Sequence, residues 1–324
     1  MMILSDKVAI SASRLGTACQ CTLRYYYNYI LKLPQEEKDY FILGSLSHLV
    51  LEILQYQKHR EHYDLIIKKN NVFASKAIER LIRKHVNKHR DLVGHRVDDI
   101  CGFILTGLKY NFFCDGCNEL LDPELNFDIE TKEYRLKGFI DKSAIYSSYA
   151  YVGDYKTSKR KPPESEKDGN VQALVYALVL RHKFGRFEKY RIDFIYVKFA
   201  KDPLYRCEYN NEDLDYFEFY LSNVSKYLTN FSHKNRLDVI PKGTYRQPMY
   251  CGAFNDELKA DLTPKFICQF KYKLSFFGVY KEGKIYKTAL TEKELEGEGL
   301  EIKKLQHNGC EVWKKDIEYH HNNN

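Results

Sequence analysis

The chain has 324 residues, 44% of them hydrophobic, with 27 Tyr and 19 Phe, which suits one large core or a core with an added lobe and excludes a disordered chain. Its 51 basic and 44 acidic residues leave a formal charge of +7, a modest bias towards polyanionic partners. No apolar run is long enough to span a bilayer, Met1–Leu4 is too soon followed by Asp6 and Lys7 to form a secretory core, and nine irregularly spaced cysteines do not make a secreted disulfide framework. The expectation is a chain kept in a reducing cytoplasm, without membrane association.

Residues 11–31 read as a helix, capped by Ser11 or Ser13 and containing Tyr25, Tyr26 and Tyr27, with a turn at Leu33-Pro34. A second helix, from about 44 to 57, carries the stripe Leu46, Leu49, Val50, Ile53, Leu54. A basic helix over 72–92 sets Ile78, Leu81, Ile82 and Val86 against Arg80, Arg83, Lys84, Lys88 and Arg90, and another helix covers 97–113. The period then changes. Residues 127–146 and 150–157, rich in β-branched and aromatic side chains, read as strands. A basic loop at 158–163 leads to a helix over 168–184, a strand over 189–199 and a helix over 211–231. Strands at 266–280 and 284–288, a short helix at 291–297 and a frayed tail at His320–Asn324 complete the reading. This order predicts an α/β core behind a helical lead-in: residues 1–125 as the helical segment, 126–235 as the core and 236–324 as a C-terminal lobe.

The chemistry concentrates in two strand-like stretches. Gly138-Phe139-Ile140-Asp141 is followed, thirteen residues after Asp141, by Asp154-Tyr155-Lys156. Strand alternation sets Val152, Asp154 and Lys156 on one face. If the strand over 133–146 pairs with 150–157, Asp141 approaches Asp154, and two adjacent carboxylates call for a hard divalent cation such as Mg²⁺ or Mn²⁺. Alone, an Asp-x-Lys on a strand is usually a solvated ion pair. His48 and Glu52 lie one turn apart on the polar side of their helix, and Gln172 and Tyr176 stand at i and i+4 on theirs.

Together these residues resemble the RecB-like branch of the PD-(D/E)xK nucleases. The resemblance rests on Cys21-Thr22-Leu23-Arg24-Tyr25-Tyr26-Tyr27, the Gly-x-x-x-His of Gly44 to His48, Gly138 to Asp141, Asp154-Tyr155-Lys156-Thr157, and Gln172-x-x-x-Tyr176. It covers residues 11–200. It implies a restriction-endonuclease-like α/β fold with a mixed central sheet flanked by helices. It makes His48, Asp141, Asp154 and the Tyr155 carbonyl metal ligands, Lys156 the catalytic lysine, and Gln172 and Tyr176 helpers that hold the scissile strand. An acidic residue ahead of the Asp141 strand has two candidates, Glu130 and Glu133. The implied activity is metal-dependent hydrolysis of phosphodiester bonds in DNA, more in the manner of an exonuclease of repair, recombination or replication, with a helicase or recombination protein as a conceivable partner. The rival is a nuclease-fold subunit that only binds DNA or scaffolds, against which the intact Asp141, Asp154 and Lys156 argue.

Lys159, Arg160 and Lys161 directly follow the lysine of the motif and read as phosphate contacts. Some relatives hold an iron–sulfur cluster with one cysteine from the opening helix and three near the C-terminus. Cys21 matches the first position and Cys251, Cys268 and Cys310 are candidates for the rest, but the tight C-terminal Cys-x-x-Cys is missing. Cys114-Asp115-Gly116-Cys117 could be half of a zinc site with Cys101 or His95, yet no second pair has matching spacing. Ordinary thiols are the expectation in both cases.

Overall fold

The computed structural model describes residues 7–35, 37–234, 268, 270, 273–297 and 300–311. Met1–Leu4, Cys251 and the tail from His320 lie outside the described residues, as does the start of the strand expected at 266. The chain divides into two compact units, Met1–Ala12 with Glu37–Ser225 and Ser13–Glu36 with Lys226–Asn324.

The first unit opens with β1 (Ala9–Ile10). Its counterpart in sequence, the opening helix, belongs to the second unit and is broken: α1 (Ala12–Gln20) and α2 (Thr22–Tyr25) are followed by a π-helical turn over Tyr26–Ile30. The first unit continues with α3 (Asp39–Gln55), α4 (Arg60–Lys69), α5 (Lys76–Lys88), α6 (Arg90–Val93) and α7 (Val97–Leu108). Helix α4 falls between the helices expected at 44–57 and 72–92, and it ends on Asn70 in the left-handed region (φ 47°), which Asn tolerates better than most residues. In α5, Ser75 caps the Ile78 N–H at 3.3 Å, Glu79 pairs with Lys76 and Arg83, and Ile78, Ile82 and Val86 are buried. These helices form one apolar layer with Tyr155, Ile195 and Val197 of the neighbouring sheet.

That sheet is mixed. Its strands are β2 (Glu119–Leu120), β5 (Lys142–Ile145), β6 (Tyr149–Lys156), β7 (Lys189–Tyr196) and β8 (Leu204–Tyr209), adjacent in that order. Strands β6 and β7 are parallel and the other neighbours antiparallel. The β6–β7 crossover is α8 (Val171–Phe184), capped by the Asn170 side chain on Ala173 N–H. Residues Ala173 to Leu180 of α8 are all buried, and the helix touches β3, β6, β7 and β8. An all-round apolar surface is what a helix packed on several sides requires.

The strand expected over 133–146 is two strands in two sheets. Strands β3 (Leu125–Glu130) and β4 (Arg135–Ile140) form a separate sheet with β1, while β5 starts at Lys142 in the mixed sheet. The chain changes sheet at Asp141. Tyr134, at the turn of the β3–β4 hairpin, is tied by its hydroxyl to Glu218 of α9 (Asn211–Thr229) and lies 2.8 Å from His182 Nε2 of α8. In the second unit, β9 (Lys273–Lys281), β10 (Lys284–Ala289) and β11 (Ile302–Asn308) make an antiparallel sheet in the order β10-β9-β11. Only the first two of those were read from sequence.

Candidate metal centre

Gly44 brings α3 against the end of β6. A Cβ at Gly44 would sit 3.0 Å from Thr157 Oγ1, so a larger residue would push the helix away. One turn later His48 leaves the same helix, and its Nδ1 is 3.2 Å from Asp141 Oδ2. The same carboxylate oxygen accepts the Tyr155 N–H at 2.9 Å. The Lys156 carbonyl accepts from Val197 on the β7 side. Backbone alternation therefore directs both the N–H and the carbonyl of Tyr155 to the opposite edge, where Asp141 stands.

Glu124 completes this group, and no sequence pattern singled it out. Ligand atoms of His48, Glu124 and Asp141 all lie within 4.8 Å of one another, the one such His/Cys/carboxylate group among the described residues. Its placement follows from hairpin register. Leu125 pairs with Ile140, so Glu124 stands opposite Asp141 and donates its N–H to the Asp141 carbonyl at 3.1 Å. Glu124 has φ 53°, a left-handed conformation that costs a non-glycine residue energy. Counting back from the hairpin turn could have found it. Glu130 is instead paired with Lys7 at 3.5 Å, and Glu133 sits in the hairpin turn, where its N–H is bonded to Thr131.

Asp154 and Lys156 project towards α8. Asp154 Oδ1 accepts from Gln172 Nε2 at 3.0 Å and from the Tyr176 hydroxyl at 2.9 Å. Gln172 Nε2 also donates to Tyr176 at 2.7 Å, and Gln172 Oε1 accepts from Lys156 Nζ at 2.9 Å. Lys156 Nζ lies 2.6 Å from Asp154 Oδ2. That oxygen is buried, with the Lys156 ammonium as its charge partner.

The electrostatics are those of a crowded acidic site. Burial raises the Asp154 carboxyl, Lys156 opposes that rise, and Asp141 reinforces it. Burial also pushes Asp141 upward, but the hydrogen bond and charge of His48, then the Tyr155 N–H and Lys156, outweigh it and hold Asp141 below the carboxylate range. His48 is drawn down by desolvation and up, more strongly, by Asp141 and Asp154, reaching about 8. Glu124 is raised by burial and by Asp141 and Glu52. Three carboxylates, Glu124, Asp141 and Asp154, thus share the site with one imidazole and one ammonium. An oxygen-rich donor set with one imidazole, in which His48, Glu124 and Asp141 bring ligand atoms within 4.8 Å of one another, fits a hard divalent cation.

Other expected residues are placed differently. Lys159 and Arg160 are exposed, whereas Lys161 turns back to Asp202 at 2.8 Å and the Leu204 carbonyl at 3.0 Å. Cys21, Cys268 and Cys310 join no three-residue metal group among the described residues. Cys114 packs with Ala144 and Tyr151, and burial pushes its thiol up to about 11, as it does for Cys101. With Cys117 and His95 these thiols join no three-residue metal group among the described residues.

The site thus sets a carboxylate–lysine pair on the central strand of a mixed sheet crossed by one buried helix, with a second carboxylate at a sheet corner. The family model of the PD-(D/E)XK nuclease superfamily matches residues 9–252, and the chain belongs to that superfamily. Among solved structures, a protein from Eubacterium rectale described as a putative exonuclease aligns at 10% identity and TM-score 0.45, covering 73% of this chain and 90% of that one. The structure of SSO0001 aligns at 18% identity and TM-score 0.24, covering 49% and 79%. No curated protein matches the sequence. Among the described residues no helix is long and apolar enough to cross a membrane.

Proposed function

We propose that the protein is a RecB-like nuclease that hydrolyses phosphodiester bonds in DNA, acting from strand ends in repair, recombination or replication, with Mg²⁺ or Mn²⁺ as its metal. The observation that carries the reading is two hydrogen-bonded groups that adjoin along one strand end: His48 and Asp141 on the Tyr155 N–H, and Asp154 and Lys156 with Gln172 and Tyr176. Asp141, Asp154, Glu124, His48 and the Tyr155 carbonyl would hold the cation. When bound, such an ion polarises a phosphoryl oxygen and makes coordinated water more nucleophilic.

The chain's own groups do the rest. Lys156 presents a positive charge fixed between Asp154 and Gln172, where charge develops on the phosphoryl oxygens. Gln172, by donating to Asp154 and accepting from Lys156, keeps both in one orientation. Burial drives the Tyr176 phenol far above its ordinary range, so it remains a hydrogen-bond donor to Asp154. The pair Lys159 and Arg160, exposed just beyond the site, would take the phosphates of the bound strand.

The test is digestion of end-labelled linear and closed circular DNA with Mg²⁺ or Mn²⁺, beside Asp154→Ala. Degradation of linear DNA alone, lost in the variant, supports the reading. Equal activity in both proteins sinks the assigned site, and cutting of circles replaces the exonuclease with an endonuclease.

A further inference from the structure

Helix α3 carries more than His48. Its first turn exposes two adjacent rings, Tyr40 at 45% and Phe41 at 50% of their free surface, with centroids 4.4 Å apart. Phe41 and His48 are seven residues apart, which on an α-helix puts them on one face about 10 Å from each other. Ser45 lies between them on that face and is exposed. Two large exposed rings in contact serve no packing role in the unit's core, and they stand on the line that leads to the metal centre.

Cations gather at the residue that precedes them. Asp39, the residue before Tyr40, is bound by Arg96, which also holds Asp99 at 2.8 Å, and Lys159 lies within electrostatic range of Asp39. Lys198 stands over the Phe103 ring at 5.4 Å. Burial, then the charges of Lys159 and Arg96, hold its ammonium below the usual lysine range. Asp39 and Asp99 are both engaged by Arg96, and Glu37, which lines a pocket with Phe41 and Ser45, lies 3.2 Å from His89 Nδ1. An anion placed among Lys159, Lys198 and Arg96 would relieve their mutual repulsion.

We propose that Tyr40 and Phe41 form a stacking platform for unpaired nucleobases, with Lys159, Lys198 and Arg96 taking the adjoining phosphates, so that the protein engages a single strand leading into the metal centre. The platform rests on the nuclease reading above. Rings beside a basic track recognise the faces of bases without reading their edges, and those faces are available only where the strand is unpaired. At ~3.4 Å per stacked nucleotide, about three nucleotides span the distance to His48.

The test uses the full chain in EDTA, which prevents cleavage, and fluorescence anisotropy with labelled oligothymidylate, oligouridylate and a blunt duplex. Wild-type protein should favour the unpaired strands, the two arms showing whether the sugar matters. Tyr40→Ala with Phe41→Ala should weaken oligothymidylate binding about tenfold or more, from ~1–3 kcal/mol per stacked base, and change duplex binding less than twofold. Phe41→Trp should restore binding, which a merely unfolded variant would not do. Lys159→Ala with Lys198→Ala should flatten the salt dependence, which the aromatic variant leaves unchanged. Oligothymidylate affinity within twofold of wild type in the double alanine variant overturns the platform and leaves the nuclease reading intact. Failure of wild-type protein to bind or cleave any nucleic acid overturns the nuclease reading and the platform with it.

Discussion

The carboxylate of Asp141 accepts the amide N–H of Tyr155 at 2.9 Å, two residues beyond the point where β5 and β6 stop pairing at Lys142 and Gly153. The side chain thereby takes the place of a missing backbone acceptor as the chain crosses from one sheet to the other. Continued by one step, the same register sets Asp141 opposite Asp154. One residue thus terminates a ladder and supplies a carboxylate to the candidate metal centre, and the consequences can be measured.

Replacing Asp154 should separate activity from stability. Asp154→Asn keeps an acceptor for Gln172 and Tyr176 and removes a buried charge that burial and Asp141 disfavour. In metal-free protein, a carboxyl raised above its unfolded value costs stability as pH rises through the native value. Thermal unfolding near neutral pH should therefore find the variant unchanged or more stable by about 1 kcal/mol, while cleavage is lost. A loss of several degrees in Tm would contradict this account.

His48 predicts a pH dependence. Its native value of about 8 exceeds the unfolded value of ~6.5, so its pairing with Asp141 contributes stability that is complete below the unfolded value and fades as pH rises towards 8. The effect is on the order of 1–2 kcal/mol. Metal binding must expel the imidazolium proton, so Mn²⁺ affinity should climb between about pH 6.5 and 8 and then level. Calorimetric titration across that range checks it, and an unaltered slope in His48→Ala would assign the proton elsewhere.

Glu124 and Glu130 offer a matched pair. Glu124→Gln should weaken Mn²⁺ binding roughly tenfold or more, about 1.4 kcal/mol, because Glu124 lies with His48 and Asp141. Glu130→Gln, at the Lys7 contact, should leave it within twofold. The reverse order would restore Glu130 as the acidic ligand.

Lys142 is fully buried, donating to the Asn111 carbonyl at 3.1 Å and facing the rings of Phe112, Tyr151 and Tyr155. A Cβ on Gly153 would meet Lys142 Cε at 2.5 Å. Gly153→Ala should cost about 1–3 kcal/mol by overpacking, and adding Lys142→Ala should recover part of that cost relative to the sum of the single changes. Urea unfolding of the four proteins measures the coupling; strict additivity would show that the two residues do not share that space.

Tyr155 shows why part of the site was legible. Strand alternation sends it to the helical layer and Asp154 and Lys156 to α8, and i, i+4 spacing aligns Gln172 with Tyr176; these relations are local and periodic, so residue order alone determined them. The glycines at 44 and 138 and the aspartates at 141 and 154 likewise stand at offsets that sequence reports directly. The break at Asp141 was not legible, because the run from 133 to 146 has strand-forming residues throughout and nothing in it marks a change of sheet. Glu124 escaped for a related reason: its place depends on the register of a hairpin and on a left-handed backbone. The tertiary structure alone decided that Lys161 turns inward to Asp202 while Lys159 and Lys198 come within electrostatic range of Asp39, which Arg96 binds, since these residues come from four separate segments whose approach is set by packing of helices on the sheet and by no periodicity within any of them.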